Sequence, residues 1–568
     1  MCGIAGIVNF KRNLIAYKGY NTLLVRDMAE SLRRRGPDSA GEWVGEHAAF
    51  ANTRLSVIDP LGGSQPMKRI IEGYEFVITY NGELYNAPEL RKDLSEFGYI
   101  FSTDSDTETL LYAYVHYGTE CAKRLNGMYA FCIWDSMRQR VFACRDRFGI
   151  KPFFYTVRDH TFIFASEAKA LFRHPAVAPE IDKEGLQELF ACPPCHSRGG
   201  IFRGIEELPG AHYMLISRTG ILTKSYWTLQ RTEHTESLEE TAGHLRALLC
   251  DSVRRRLRAD VPIAALLSDG PVFGIAAAIA ADALRTRGEL LPVYTPDCDM
   301  PRLPGTSHIL LQQNDPAPIQ TLRDAAYHAD LPYPTGCGAA LLYFCREIKK
   351  RHTVVLSDSC ADVLFGSAPA FDTDAYYQAL SICSGILLPA VAETLDLANY
   401  AHAQFEAARA KAPCRSDDPA EQRRLETAYL TLQGHMATLF AHMDRMGMAS
   451  GVELRFPFCD YRLVEYVWNI PQDMKRGAAI LQKAAGDILP PSMPAVQQPP
   501  RPDNCRLQYE TAAKQALLDI LEDARAPLLA FVDKQALRNL LADNTAPQCA
   551  AYLFQINHWL ELYRPMLH

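Results

Sequence analysis

The chain opens on apolar positions. Residues 3–8 form a continuous apolar run, the pattern of a buried strand. Leu23, Leu24, Met28 and Leu32 then recur at helical spacing and predict a helix running to about residue 34. Arg35-Gly36-Pro37-Asp38 follows as a turn. Short strands are predicted over 53–59 and 76–80, the second running into Asn81-Gly82-Glu83. A helix is expected over 88–97, and Ser105 is placed to cap another that begins at Asp106. Strands resume over 128–134, 141–145 and 153–155. Strands and helices come in clusters without strict alternation, which predicts a layered α+β domain.

After a polar, acidic stretch at 232–240, read as a linker, the pattern changes. Residues 237–258 carry Leu238, Leu245, Leu249, Val253 and Leu257 on roughly one helical face. An apolar strand over 261–267, a glycine-bearing turn and an alanine-rich helix over 275–284 read as the start of a nucleotide-binding α/β domain. Strands over 291–295, 308–311 and 352–356 extend its sheet, and beyond residue 376 the pattern is mainly helical. The link before the strand at 308–311 is short and contains proline, whereas a parallel crossover usually takes about a dozen residues and a helix. The expected domains are residues 1–230 and 231–568.

Bulk properties narrow this picture. A chain of 568 residues implies two or more domains, and 48% hydrophobic with 22% charged residues is ordinary for a soluble protein. A net charge of −7 leaves no footprint for nucleic acid or an anionic membrane. The short runs Arg33-Arg34-Arg35 and Arg254-Arg255-Arg256 read as solvated faces. No run is apolar and long enough to span a bilayer, and no leader precedes Cys2, so a cytoplasmic location is expected. The 16 cysteines are scattered, in keeping with a reduced compartment. Cys192-Pro193-Pro194-Cys195-His196 fits the attachment pattern for c-type haem, but nothing else supports export or an axial partner. The same cysteines lack a second ligand pair, so no metal site is expected.

Cys2 changes the picture most. Removal of Met1 would leave one residue carrying both a thiol and a free α-amine. The thiolate is the reactive form, and an α-amine titrates near about pH 8, so it can accept the thiol's proton. Nucleophile and base would then share a residue.

Met1-Cys2-Gly3-Ile4, Arg35-Gly36-Pro37-Asp38, Arg54-Leu55-Ser56, Tyr80-Asn81-Gly82-Glu83, Ser105-Asp106-Thr107-Glu108, Arg145-Asp146-Arg147-Phe148-Gly149-Ile150-Lys151-Pro152 and Ala165-Ser166-Glu167 occur in that order. This resembles the glutamine-hydrolysing asparagine synthetase family, whose first domain is a class II, N-terminal-nucleophile glutaminase. The resemblance puts the Asn81 amide and the Gly82 N–H in the oxyanion hole. It puts Arg54 on the substrate α-carboxylate, with Leu55, Ser56, Val57 and Ile58 lining the site, and Asp106 on the α-ammonium with Glu83 nearby. Arg34 stands where the family often has histidine. The resemblance also implies a possible homodimer.

For the second half it implies an α/β pyrophosphate-loop domain that uses ATP and magnesium to adenylate aspartate. Here the family's Ser-Gly-Gly-X-Asp-Ser loop reads Ser268-Asp269-Gly270-Pro271-Val272-Phe273. Asp269 brings a carboxylate to a phosphate site, and Pro271 removes an N–H donor. The Ser-Gly-Glu-Gly-Ala-Asp-Glu motif reads Ser357-Asp358-Ser359-Cys360-Ala361-Asp362-Val363, and Asp-Glu-Pro reads Asp330-Leu331-Pro332. The catalytic lysine aligns with Ala478 and a nearby arginine with Gln482, while the basic segment that follows becomes the uncharged run 494–500. Leu267, Ser268, Gly270 and Ser357 are what remains of the nucleotide cradle.

The expectation is glutamine hydrolysis at Cys2, with no cofactor required and ATP-dependent amidation lost. Two alternatives stay open. One is a working ATP-dependent asparagine synthetase, and the other is a non-synthesising regulatory subunit or one delivering ammonia to a separate enzyme.

Overall fold

The computed structural model describes residues 2–191, 200–267, 274–296, 302–312, 314–332, 337–365, 373–412, 418–475, 479–486, 488, 504–542 and 547–568. The haem-like motif at 192–196, Ser268 to Phe273, Ala478 and the run 494–500 lie outside these residues.

Among the described residues, the first half carries thirteen strands: β1 (Cys2–Val8), β2 (Ser39–Val44), β3 (Ala48–Arg54), β4 (Met67–Ile71), β5 (Tyr74–Leu84), β6 (Gly127–Asp135), β7 (Arg140–Arg145), β8 (Phe154–Arg158), β9 (Thr161–Ala165), β10 (Glu180–Ile181), β11 (Glu206–Glu207), β12 (His212–Ser217) and β13 (Gly220–Ser225). Twelve of them build two six-stranded antiparallel sheets, ordered β11-β8-β9-β1-β3-β2 and β13-β12-β7-β6-β5-β4. Their facing sides share a core of Ile4, Phe50, Val77, Val141, Phe153 and Phe164. The outer side of the first sheet packs Val25, Met28 and Ala29 of the helix Lys18–Glu30. The outer side of the second packs Leu110, Leu111 and Tyr114 of the helix Asp106–Tyr117. The layered α+β expectation holds, and β1 lies in mid-sheet with Cys2 at its end.

Three local expectations need correction. The strand expected over 53–59 ends at Arg54. Beyond it the Ser56 N–H bonds the Asp38 carboxylate, and Leu55, Val57 and Ile58 turn into a core shared with the second half. The helix expected to reach residue 34 stops at Glu30, because the chain folds back beneath β1. Gly36 permits this return, since a Cβ there would stand 2.2 Å from the Thr53 carbonyl carbon. The strand expected over 76–80 reaches Leu84, because its ladder with β6 continues to Leu84↔Gly127.

The second half holds β14 (Ile263–Leu266), β15 (Leu291–Thr295), β16 (Thr306–Leu310), β17 (Val354–Ser357) and β18 (Glu453–Arg455), a parallel sheet ordered β16-β15-β14-β17-β18. β16 is parallel to β15 despite the short link. Residues 296–305 can reach about 33 Å when extended, enough to return along a strand of 5 residues. The helix Leu238–Arg256 starts with a capping box of Ser237 and Glu240. A short strand β19 (Met566–Leu567) pairs with β10, and the helix Lys183–Ala191 packs among helices of the second half. The two halves therefore share apolar cores.

Candidate active site

The register β1–β3 places Cys2 opposite Arg54. Cys2 is 5% exposed, and its N–H donates to Asn81 Oδ1 at 3.0 Å. Asn81 comes from β5 in the other sheet, so the two sheets meet at this bond. Burial pushes the Cys2 thiol above its ordinary value, while the ammonium of the unprocessed Met1, Arg54 and the Leu55 N–H pull it down. Burial thus favours the protonated thiol.

The edge of β5 supplies donors. Tyr129, opposite Gly82, uses both main-chain groups on Asp146, so Gly82↔Tyr129 is not a hydrogen-bonded pair. By the period of two, the N–H groups of Tyr80, Gly82 and Leu84 point away from β6. Tyr80 N–H donates to Gln65 Oε1 at 2.6 Å and Leu84 N–H to Asp106 Oδ2 at 2.9 Å. Gly82 N–H lies between them, past the end of β4 at the pair Met67↔Ile78. Asn81 Nδ2 is buried and has no hydrogen-bond partner among the described residues. Two donors beside a nucleophile are what a tetrahedral oxyanion needs. Only glycine fits at 82, because a Cβ would stand 2.2 Å from the Met128 carbonyl oxygen.

Asp106 opens the helix Asp106–Tyr117, capped by Ser105, whose Oγ accepts from the Thr107 N–H at 3.2 Å. Its Oδ2 also accepts from Tyr80 OH at 3.0 Å, and its Oδ1 receives no donor among the described residues. Burial raises its pKa, against the opposing bonds from Leu84 and Tyr80.

The remaining predicted residues behave differently. Arg54 gives Nη1 to Pro60 O (2.8 Å) and Nη2 to Ile58 O (3.0 Å) and Asp59 O (2.7 Å), so its guanidinium braces the 55–60 loop. That loop is also tied to the second half, where Asp260 N–H donates to Val57 O and Asp260 Oδ2 accepts from Asp59 N–H. Glu83 faces the second half as well, with Oε2 3.5 Å from Arg455 Nη2. Arg455 sits closer to Glu453, at 2.6 Å. Burial and Glu453 accordingly push Glu83 well above the carboxylate range, with Arg455 opposing.

Two participants were not legible in the sequence. Gln65 points its Nε2 at Cys2 Sγ, 3.8 Å away, from a turn-rich stretch without periodic signal. Arg35 donates through Nε to the Cys2 carbonyl at 3.2 Å, and the Arg35-Gly36-Pro37-Asp38 motif was its only trace.

In the second half, the expected nucleotide crevice lies at the carboxyl ends of β14 and β17. Leu267 donates its N–H to Tyr294 O there. Ser357 Oγ is 2.8 Å from Ser359 Oγ and accepts from the Ser359 N–H. Ser268 and Gly270 are outside the described residues. The start of the helix Ile275–Arg285 is taken by the chain itself, since Gly274 N–H donates to the buried Asp358 Oδ2 at 3.3 Å. A carboxylate at that position competes with an incoming phosphate. Among the described residues, Asp358 thus occupies a main-chain donor that a phosphate at this helix start would use.

Residues 1–227 match the glutamine amidotransferase domain family, and residues 302–561 match asparagine synthase. Asparagine synthetase (glutamine-hydrolyzing) 3 of Bacillus subtilis (strain 168) is 35% identical, with 99% of each chain covered. Asparagine synthetase (glutamine-hydrolyzing) 1 of the same organism is 28% identical, covering 96% of this chain and 93% of that one. Among solved structures, glutamine phosphoribosylpyrophosphate amidotransferase from B. subtilis, complexed with ADP and GMP, aligns over 56% of this chain and 69% of its own. Its identity is 16% and its TM-score 0.31, too low to carry a fold assignment. With both halves matched and one relative similar from end to end, the chain belongs to the glutamine-hydrolysing asparagine synthetase family.

Proposed function

We propose that residues 1–230 are a class II glutaminase that hydrolyses glutamine to glutamate and ammonia, and that residues 231–568 have lost ATP-dependent amidation. The observation that carries the first part is the pair of uncommitted donors, Asn81 Nδ2 and Gly82 N–H, beside Cys2. Cys2 Sγ attacks the side-chain amide carbon as its proton passes to the α-amine exposed by removal of Met1. The oxyanion forms against Asn81 and Gly82. When the C–N bond breaks, the ammonium returns the proton to the leaving group, and ammonia departs. Water attacks the resulting thioester, freeing glutamate and restoring the thiol. Asp106 Oδ1 takes the substrate ammonium. Arg54 supplies positive potential for the α-carboxylate while holding Leu55, Ser56, Val57 and Ile58 in place. Glu83 acts from behind, through its contact with Arg455.

Full-length protein incubated with glutamine is expected to release glutamate in step with ammonia, without ATP. Absence of glutamate would overturn the reading.

The second part rests on Asp358 at the start of the helix Ile275–Arg285. Titration calorimetry with magnesium and ATP is expected to show no binding heat. The full-length likeness to the B. subtilis synthetases favours the other reading, ATP-dependent asparagine synthesis. Aspartate-dependent release of AMP or pyrophosphate would decide for that reading. If both products are absent while glutaminase is active, the ammonia goes to water or to a separate acceptor enzyme.

A further inference from the structure

Beneath Cys2 lies a buried ionic cluster built from both halves. Arg35 Nη1 is 2.8 Å from Glu167 Oε1 and 2.8 Å from Asp444 Oδ2. Asp444 lies on the helix Met436–Ala449 of the second half, and its Oδ1 accepts from Lys151 Nζ at 2.7 Å. The Arg35, Asp444 and Lys151 side chains are 1%, 0% and 1% exposed. The Arg35–Asp444 contact is a close ion pair that lacks hydrogen-bond alignment at Oδ2. Burial acts to raise Asp444, but Arg35 and Lys151 outweigh it and hold the group below the usual carboxylate range. Asp444 is therefore a fixed charge.

This charge bears on the nucleophile. Arg35 is held from two sides, by Glu167 in the first half and Asp444 in the second, and its Nε then points at the Cys2 carbonyl. Glu167 is itself shared with Lys169. Removing Asp444 leaves Arg35 with a single, divided carboxylate. The guanidinium would swing towards Glu167, and the Cys2 main chain would lose its donor. Burial makes this loss severe, since an unmatched charge in a dry interior draws its surroundings into new positions.

We propose that Asp444 is a positioning residue for glutamine hydrolysis, acting across the boundary between the halves through Arg35 on the main chain of Cys2. The proposal rests on the glutaminase reading above. It gives the second half a role in the chemistry of the first that requires no nucleotide. Because Asp444 reaches neither Asp106 nor the 55–60 loop, its effect should fall on turnover and spare substrate affinity.

In full-length protein, Asp444→Asn is expected to lower kcat for glutamine hydrolysis about tenfold or more, with KM within about twofold, since small misplacements of a nucleophile are costly. Asp460→Asn is the control. Asp460 is also a buried carboxylate of the second half, 3.1 Å from Asn126 of the first, but it has no contact with Arg35. The control is expected to keep kcat within about twofold. A wild-type kcat in Asp444→Asn, or equal losses in both variants, overturns the proposal. If Asp444→Asn does not fold, Asp444→Glu takes its place, with the same outcomes deciding. An inactive wild type would overturn the proposed function alone. Alkylation of Cys2 by iodoacetamide, followed by mass spectrometry, then decides. A changed rate in the Asp444 variant but not in Asp460→Asn supports the proposal, and equal rates in all three proteins overturn it.

Discussion

Cys2→Ala is expected to reduce glutamate release to background, a loss on the order of 10⁴-fold or more. The size follows from what stands beside the thiol. Burial keeps Cys2 protonated at rest, so reactivity depends on handing one proton to one base at the moment of attack. Among the described residues, no other base stands within hydrogen-bond reach of Sγ, and the Leu55 N–H there is a donor. Gln65 Nε2 is a donor, and its amide oxygen is bonded to Tyr80 N–H. Alanine keeps the main-chain bond to Asn81 Oδ1 and fits the same strand, so the variant should fold normally. Glutamate release from a folded Cys2→Ala protein, measured by coupled assay at saturating glutamine, would place the nucleophile elsewhere. The base also predicts a direction in pH. Activity should climb as pH rises through the range of an α-amine, about 8, because only the neutral amine accepts the proton.

The second large effect belongs to Asn81. Asn81→Ala is expected to lower kcat by about 10²–10³-fold, or about 3–4 kcal/mol of transition-state stabilisation, with little change in KM. Its Nδ2 is a buried amide without a partner among the described residues, which costs about 1–3 kcal/mol in the resting protein. A donor kept unpaired next to a nucleophile contributes most when negative charge arrives, and a ground-state amide oxygen brings little. The other end of the side chain matters too, because Oδ1 accepts from Cys2 N–H and fixes the amide's orientation. Asn81→Asp separates the two roles. It keeps the acceptor for Cys2 but puts an acceptor where the donor stood, so it should be as slow as Asn81→Ala. A rise in KM with kcat unchanged would make Asn81 a binding residue and leave the oxyanion to Gly82 alone.

Much of the first half could be read from residue order. An apolar run over 3–8 predicts a buried strand, and the structure puts it between β9 and β3. Ser105 announced its helix because a hydroxyl there can accept from the Thr107 N–H. The motifs around Asn81 and Asp106 marked their places, and β5 brings both to Cys2 through Asn81 Oδ1 and the Leu84 N–H. The end of the strand after Arg54 could not be read in the same way. Leu55, Val57 and Ile58 look like strand residues, and what they pack against lies in helices and strands of the second half. The surroundings of Glu83 were hidden for the same reason, since in the fold it is a buried group facing Arg455 and Glu453 of the second half.

The sequence by itself determined the family, the strand that runs into Asn81, the capped helix with Asp106, and the departures of residues 268–273 and 357–363 from the family's motifs. These are local matters of side-chain chemistry and backbone periodicity, carried by neighbouring residues. Only the tertiary structure decided that Arg54 braces a loop, that Gln65 and Arg35 reach Cys2, that Asp358 accepts from Gly274 N–H at the start of the helix Ile275–Arg285, and that Asp444 of the second half pairs with Arg35 behind Cys2. Each is a contact between residues far apart in the chain. Its geometry depends on how sheets and helices pack, and burial then sets its strength by removing the water that would otherwise screen it.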